Sequence, residues 1–539
     1  MADKPATNTN VGLDGDLEAL SLERACDYYQ NYLDAFQIDL PMAICFINRV
    51  LAEKMANVSP RARGLLEQSI NSAVQLANFD PHVLGIGVTS GIAPNAAPVI
   101  KVLEATHVEP GVYDELRTIP LRRHAPEIRT VCEKMLARHP MAVRYADLLL
   151  LAVFIEGREP TPAMAGFHCP KVLQPLWNKR LFNHFAGLGD DARALPLWPA
   201  IAALVNDPFT LSQAAELFRR TGDTDQAQTL YERALALDPL QRPYALRLAA
   251  LRAPFRPDHS LVDAKRVAIY FYSANKAAAL AETLESLAGT AIGPARITIL
   301  LNGCTDDSAA VVARARERFP HNSLDCIELP VNVGAPAARN WLLALPRTRE
   351  SDYVAFLDDD VTLQPDWLAH MLTVAESDPR IGNVGCKVVF PGRFKLLQYL
   401  YRHVALADND AIRVSLPTPY MQYDIGLYDV IRETRVVMGC QHLLRVAALA
   451  DAPWFDIRYS PSQIDDTDHD LQLCLAGWKV FYCGTVTCVH RQDSGTSARR
   501  PLNRANQGNV RGNDLKFLYK WLDRQDELRA LDALSLNNG

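Results

Sequence analysis

Hydrophobic residues over the first 250 positions recur at three- and four-residue spacing, whereas those after position 265 gather in short continuous runs. The first pattern is that of amphipathic helices and predicts them over residues 17–36, 42–56, 61–78, 127–138 and 142–155, with Pro and Gly between them. The second predicts strands over residues 267–272, 297–301, 326–329, 353–357 and 384–390, alternating with helices over 276–287, 307–318, 335–345 and 365–376. Strands covered on both faces read as unbroken apolar runs, and alternation of strand and helix implies βαβ units in a mostly parallel sheet. Residues 394–407 carry basic side chains on an amphipathic pattern and read as a surface helix, and residues 513–534 read as a closing helix. Between the two regimes, residues 252–264 contain Pro254 and Pro257 and few apolar side chains, as a linker does. The predicted organisation is a disordered start over 1–15, an all-α domain over 16–251, that linker, an α/β domain over 265–500 and a helical extension over 501–539.

Within the helical half, residues 208–241 place Ala215, Phe218, Gly222, Ala227, Tyr231, Ala234 and Pro239 where a tetratricopeptide repeat sets its small and aromatic packing residues. The segment resembles that family. Gly189-Asp190, 33 residues before Gly222-Asp223, is a weak mark of a preceding repeat. One repeat cannot bury its own face, so neighbouring helices are expected to stack on it. Such a region either only packs, or also holds the acceptor, a protein partner or a second copy of the chain.

Composition narrows the class. At 539 residues the chain exceeds one ordinary core, and its 49% hydrophobic and 22% charged residues are those of a globular protein. A net charge of −6 announces no polyanion-binding surface, so nucleic acid is not an expected partner. The 11 cysteines are odd in number and form no CxxC pair, which suits a reducing compartment. The polar N-terminus lacks a signal-peptide pattern, and the best apolar stretch, residues 146–155, is too short to span a bilayer. A cytoplasmic protein without a transmembrane segment is expected, with peripheral contact at the inner membrane left open.

Candidate chemistry begins where Tyr353-Val354-Ala355-Phe356-Leu357 runs into Asp358-Asp359-Asp360. Ligands of open α/β sheets bind just beyond the carboxyl ends of such strands. Asp358 and Asp360 point to the same side of an extended chain. Adjacent carboxylates repel unless a cation sits among them, and oxygen ligands suit Mn²⁺ or Mg²⁺ bridging to phosphate. The stretch is therefore a candidate metal–diphosphate site. No Gly-x-Gly-x-x-Gly or Walker-type loop supports dinucleotide or P-loop chemistry. Cys483, Cys488 and His490 lack zinc spacing and a fourth ligand.

Several further motifs follow in order. Val267–Ser273 leads into Ala274-Asn275-Lys276, and Ile299-Leu300-Leu301-Asn302-Gly303 leads into Cys304-Thr305-Asp306-Asp307. Asn332-Val333-Gly334 is followed by Ala337-Ala338-Arg339-Asn340, then come Asp358-Asp359-Asp360, Gly439-Cys440, Asp465-Asp466-Thr467-Asp468 and Val489-His490. On these the chain from Arg266 to about Ser497 resembles the inverting family 2 glycosyltransferases of GT-A fold, whose sheet is Rossmann-like and mostly parallel.

The resemblance implies Asp360 and His490 as metal ligands and Asp466 as the base. It implies Ser273, Asn275, Asn302, Arg339, Asp358 and Asp359 on the donor side, with Asp358 at the ribose or a metal-bound water. Gly439, Cys440, Asp465 and Asp468 fall on the acceptor side. The chemistry agrees: a divalent cation neutralises a leaving diphosphate, and inversion needs a carboxylate to take the acceptor's proton. Repulsion or burial among Asp465, Asp466 and Asp468 would raise a pKa toward useful basicity. The same cluster would also favour a helix N-terminus. Residues 491–497 read as a lid over the diphosphate, with Arg491, Arg499 and Arg500 as candidate phosphate contacts.

Departures are equally informative. Leu301 stands where the family often has a base-contacting Asp, leaving Asn302 or another group to substitute, and Asp465 replaces the usual Glu. The Gln-x-x-Arg-Trp motif of processive synthases is absent. The expected activity is transfer of one sugar from a nucleotide donor, a UDP-sugar by default, to a hydroxyl on a surface glycan or a protein. The alternatives are an inactive scaffold working through its helical half, and a nucleotidyltransferase. Ser273-Ala274-Asn275-Lys276 lacks the Gly-rich turn of the latter.

Overall fold

The computed structural model describes residues 17–18, 20–119, 121–159, 164, 166–402, 405–406, 412–413, 422–491 and 504–537. The expected disordered start and the proposed lid beyond Arg491 lie outside these residues. Four helices of the first half share one start signal, an acid or serine cap with proline in the first turn. Asp39 opens Leu40–Leu51, Ser59 opens Pro60–Leu76, Asp80 opens Pro81–Thr89 and Asp207 opens Pro208–Arg220, each accepting a backbone N–H. Helices Pro208–Arg220 and Thr224–Leu237 pair across Gly222 (φ 95°), and Arg242–Arg252 stacks on the second. Ala215, Ala227, Tyr231 and Ala234 are all buried at this repeat.

The α/β half holds β1 (Val267–Ser273), β2 (Arg296–Asn302), β3 (Leu324–Leu329), β4 (Tyr353–Leu357), β5 (Val361–Thr362) and β6 (Ile381–Val389). It continues with β7 (Leu397–Tyr399), β8 (Ala405–Leu406), β9 (Ile412–Arg413), β10 (Ile431–Thr434), β11 (Gln441–Arg445) and β12 (Lys479–His490). The main sheet runs β10-β12-β6-β11-β4-β1-β2-β3, with β5 on β12 and β7 on β6. It is parallel from β3 to β4 and between β6 and β12, as the βαβ pattern predicts. β11 is antiparallel to both β4 and β6 and joins the two parallel parts into one mixed sheet.

Two expectations are corrected. Residues 394–407 are not a surface helix: they supply β7, antiparallel to β6, and β8, paired with β9. β11 pairs β6 only at residues 383–385, leaving Val388 and Val389 for β7, and Leu397, Leu400 and Tyr401 bury against the helical half, which a surface helix would leave wet. The closing helix is two, Arg504–Trp521 and Gln525–Asn537, divided by a 3₁₀ turn at Leu522–Arg524.

The two halves share a core. Val389, Leu397, Leu400, Tyr401, Leu427, Tyr428 and Tyr482 belong to the same apolar cluster as the N-terminal helices. Tyr401 stacks on Phe36 with ring centroids 5.4 Å apart, and Arg432 pairs with Asp34 at 2.9 Å. Buried Glu216 holds Arg247 at 2.7 Å, and Arg247 donates to the Asp429 carbonyl at 3.0 Å. Among the described residues no helix is long and apolar enough to cross a membrane.

Candidate active site

The sheet brings the acidic end of β4 against the end of β12. The Asp358 N–H donates to the Cys440 carbonyl at 2.9 Å, so the start of β11 fixes where the carboxylates emerge. Asp358, Asp360 and His490 offer ligand atoms all within 4.8 Å of one another. His490 Nε2 lies 3.1 Å from Asp360 Oδ1 and 3.8 Å from Asp358 Oδ2. Its Nδ1 faces Gln398 Oε1 at 2.9 Å, so Gln398 orients the ring and leaves Nε2 toward the carboxylates. Two carboxylates and an imidazole with such a partner fit Mn²⁺ or Mg²⁺ sharing its shell with phosphate oxygens.

Electrostatics set each protonation state. Burial pushes Asp358 up to about 6, against the pull of Arg339 and His490. Burial also works upward on Asp360, but the hydrogen bond and charge of His490 and the Lys276 ammonium hold it well below the usual carboxylate range. Lys276 Nζ sits 3.0 Å from both Asp359 and Asp360. Burial works downward on His490, and Cys440, Asp360 and Asp358 together outweigh it, to about 9. A divalent cation would displace that proton and compete with Lys276 for Asp360.

At the end of β1, the Ser273 hydroxyl donates to Asp359 Oδ2 at 2.6 Å, and Tyr272 donates to Asp358 Oδ1 at 3.1 Å. Asn275, exposed at φ 55°, accepts the Thr305 N–H at 2.7 Å and ties the turn after β1 to the turn after β2. Asn302 spends both ends of its amide on the loop after β3, to Asn332 Oδ1 and from the Val333 N–H, each at 2.9 Å. Asn302 thus shapes the loop beside it, while Leu301 is buried.

Helix Asp465–Leu475 begins on three carboxylates, which its N-terminal dipole favours. Asp465 pairs with Arg339. Arg339 Nη2 reaches the Gly439 carbonyl at 3.2 Å and Asp358 at 3.9 Å, and its guanidinium lies 5.2 Å from the rings of Tyr272 and Phe455. That one side chain therefore joins the Asp358–Asp360–His490 cluster to the acidic helix. Half-buried Asp466 accepts the Gly439 N–H at 2.9 Å through Oδ2. A Cβ on Gly439 would stand 2.7 Å from Arg339 Nη2 and 3.1 Å from Asp466 Cβ, so only glycine permits this approach.

Asp468 is placed elsewhere. It takes hydrogen bonds from Trp521 Nε1 at 2.9 Å, Tyr459 at 3.2 Å and Lys520 at 2.6 Å, fastening helix Arg504–Trp521 to helix Asp465–Leu475. Arg491 donates its N–H to the Asp360 carbonyl at 3.1 Å and turns its side chain to Glu282. Arg499 and Arg500 lie outside the described residues. Sequence reasoning missed Lys276, Tyr272, Gln398 and Asp470. Lys276 alone carried a signal, a basic residue in the turn facing the acidic strand end. Asp470, accepting from the Val437 N–H and Asn383 and pushed up to about 8 by burial, looked like one more acid in a helix.

The geometry can now be set beside known proteins. Residues 267–450 match the model described as glycosyl transferase family 2. Residues 267–450 form a family 2 glycosyltransferase domain. Residues 208–251 match a tetratricopeptide repeat, which extends through helix Arg242–Arg252. The pre-mycofactocin glycosyltransferase of Mycobacterium tuberculosis is 27% identical over 248 residues, which are 44% of this chain and 48% of that protein. The chain thus spans about half the length of the curated relatives it matches. Among solved structures, the mannosyltransferase PcManGT of Pyrobaculum calidifontis, in complex with GDP-Man and Mn²⁺, aligns at 16% identity and TM-score 0.34 over 58% of this chain and 86% of its own. TarS of S. aureus aligns at 15% identity and TM-score 0.28, covering 41% of this chain and 36% of its own. The matched family 2 segment ends at residue 450, so Asp466 and His490 stand on geometry alone.

Proposed function

We propose that the protein is a metal-dependent inverting glycosyltransferase. The observation that carries this reading is the continuous chain from Asp358, Asp360 and His490 through Arg339 and Gly439 to Asp466. Asp358, Asp360 and His490 would hold a divalent cation, which would supply Lewis-acid charge for the departing diphosphate. Ser273 and Lys276 hold the Asp359 carboxylate, and Lys276 neutralises Asp360 until a cation takes its place. Asp466, fixed by the Gly439 N–H and reachable from solvent, accepts the proton of an acceptor hydroxyl as its oxygen attacks the anomeric carbon. The new C–O bond forms opposite the breaking one, and the nucleoside diphosphate leaves with the bonding electron pair. The donor is taken as a UDP-sugar and the acceptor as a glycan or protein hydroxyl.

The test is release of free nucleoside diphosphate from UDP-, GDP- and dTDP-sugars, with Mn²⁺ and with EDTA. The expected result is metal-dependent release from one donor, lost in Asp360→Ala. Pyrophosphate in place of nucleoside diphosphate, or no nucleotide bound at all, would overturn the reading.

A further inference from the structure

A second site lies at the seam between the halves. A cavity of about 690 Å³ is walled by N-terminal helices and by Gln422, Tyr423, Ile425, Leu427 and Tyr428 of the α/β half. Its volume is that of a small-molecule site, and at its rim Arg117 and Thr118 are exposed.

The polar groups lining it are unusual. His184 and Gln213 are 1% and 4% exposed, yet both ring nitrogens of His184 and Gln213 Oε1 have no hydrogen-bond partner among the described residues. The same holds for Asn183 Oδ1 and Gln422 Nε2. All four side chains line the cavity. Buried polar atoms are ordinarily paired, because an unpaired one costs stability. Four such residues around one space mark a surface shaped for a ligand's hydrogen bonds.

The chemistry of that ligand follows from which charged groups of the wall already have partners. Arg180 is paired with Asp147 at 2.5 Å and Arg117 with Asp80 at 2.8 Å, while Asp39 accepts from Tyr32 at 2.7 Å and the Met42 N–H at 2.9 Å. Burial keeps His184 neutral, so its ring offers one donor and one acceptor. The groups that remain are amides and an imidazole without net charge. Between them stand Phe79, Tyr113, Phe154, Phe209, Tyr423 and Tyr428. Neutral donors and acceptors among aromatic faces suit a molecule rich in hydroxyls with apolar C–H faces and no formal charge.

We propose that this cavity is a second saccharide site, separate from the Asp358–Asp360–His490 site, that binds a neutral mono- or oligosaccharide. A physical route joins the two: the Gln422 carbonyl accepts the Leu397 N–H at 2.9 Å, and the next residue, Gln398, orients His490. Binding itself does not depend on the transferase reading.

The test uses thermal unfolding and calorimetric titration of the full chain with glucose, N-acetylglucosamine, maltotetraose, cellotetraose and chitotetraose. UDP with Mn²⁺ serves as a control for the other site. At least one saccharide is expected to raise the melting temperature in a saturable way. The shift should survive in Asp360→Ala and vanish in His184→Phe/Gln213→Leu. That double variant, freed of unpaired polar atoms, should melt no lower than wild type without saccharide and keep its response to UDP and Mn²⁺. Gln422→Leu, on the opposite wall, serves as an independent variant and should also lose the shift. The proposal is overturned if none of the five saccharides shifts the wild type. It is overturned equally if the shift disappears in Asp360→Ala or persists in both cavity variants.

Discussion

At the scale of single residues the site depends on partners that carry no reaction themselves. Asp466→Asn removes the proposed proton acceptor but preserves an oxygen for the Gly439 N–H. Turnover is expected to fall by about 10²–10⁴-fold, with donor affinity by calorimetry unchanged. Gln398→Leu keeps the volume but frees the His490 ring. Apparent Mn²⁺ affinity, read from the metal dependence of product release, should weaken by about 10–100-fold. His184 gives a pH signature remote from the metal. Its folded pKa is lowered to about 3 from 6.5, so below pH 6.5 the unfolded chain gains a proton that the folded chain refuses. Stability from this group is complete above 6.5 and is lost as pH falls toward 3, by about 1.4 kcal/mol per pH unit. Urea midpoints at pH 7 and pH 5 should therefore differ less in His184→Phe than in wild type.

At the scale of elements, the tie between Asp468 and the C-terminal helix is the clearest object for test. Trp521→Phe keeps an aromatic ring in the buried position, gives up part of its volume and deletes the Nε1–H donor to Asp468. The loss of a hydrogen bond to a charged group predicts destabilisation of about 1.5–3 kcal/mol, measured by denaturant titration, with nucleotide binding retained. Elements also show what was legible beforehand. β4 is predicted to the residue, because an apolar run ending in three aspartates has one reading. The helix after β3 starts at Ala335 as expected, since Gly334 and Pro336 punctuate it. Residues 394–407 misled because their apolar positions serve two different neighbours, β6 and the N-terminal helices. A surface helix reads much the same. Asp468 resembled its neighbours for a similar reason, since nothing local says that a tryptophan 53 residues later will claim it. Arg339 was found through its motif, but its contact with both acidic clusters is a tertiary fact.

At the scale of the whole molecule the two halves share one apolar cluster, which predicts that they unfold together. Glu216 sits fully buried with Arg247, whose other contact is the α/β backbone at Asp429. Glu216→Ala would leave that buried guanidinium with only Asp429, its carbonyl at 3.0 Å and its carboxylate at 3.9 Å, at a cost of about 3–5 kcal/mol. Unfolding followed by both tryptophan fluorescence and circular dichroism should stay a single transition that shifts as one. Two separated transitions in the wild type would contradict a shared core. The placement of β7 carries this further. The strand whose Gln398 orients His490 is pressed between β6 and the N-terminal helices, so a cation bound at His490 would draw on the same packing that closes the seam. Any strengthening of the seam by such a cation would, by reciprocity, strengthen the cation's binding by the same amount. The helical half would in that sense act as a built-in effector of the proposed centre.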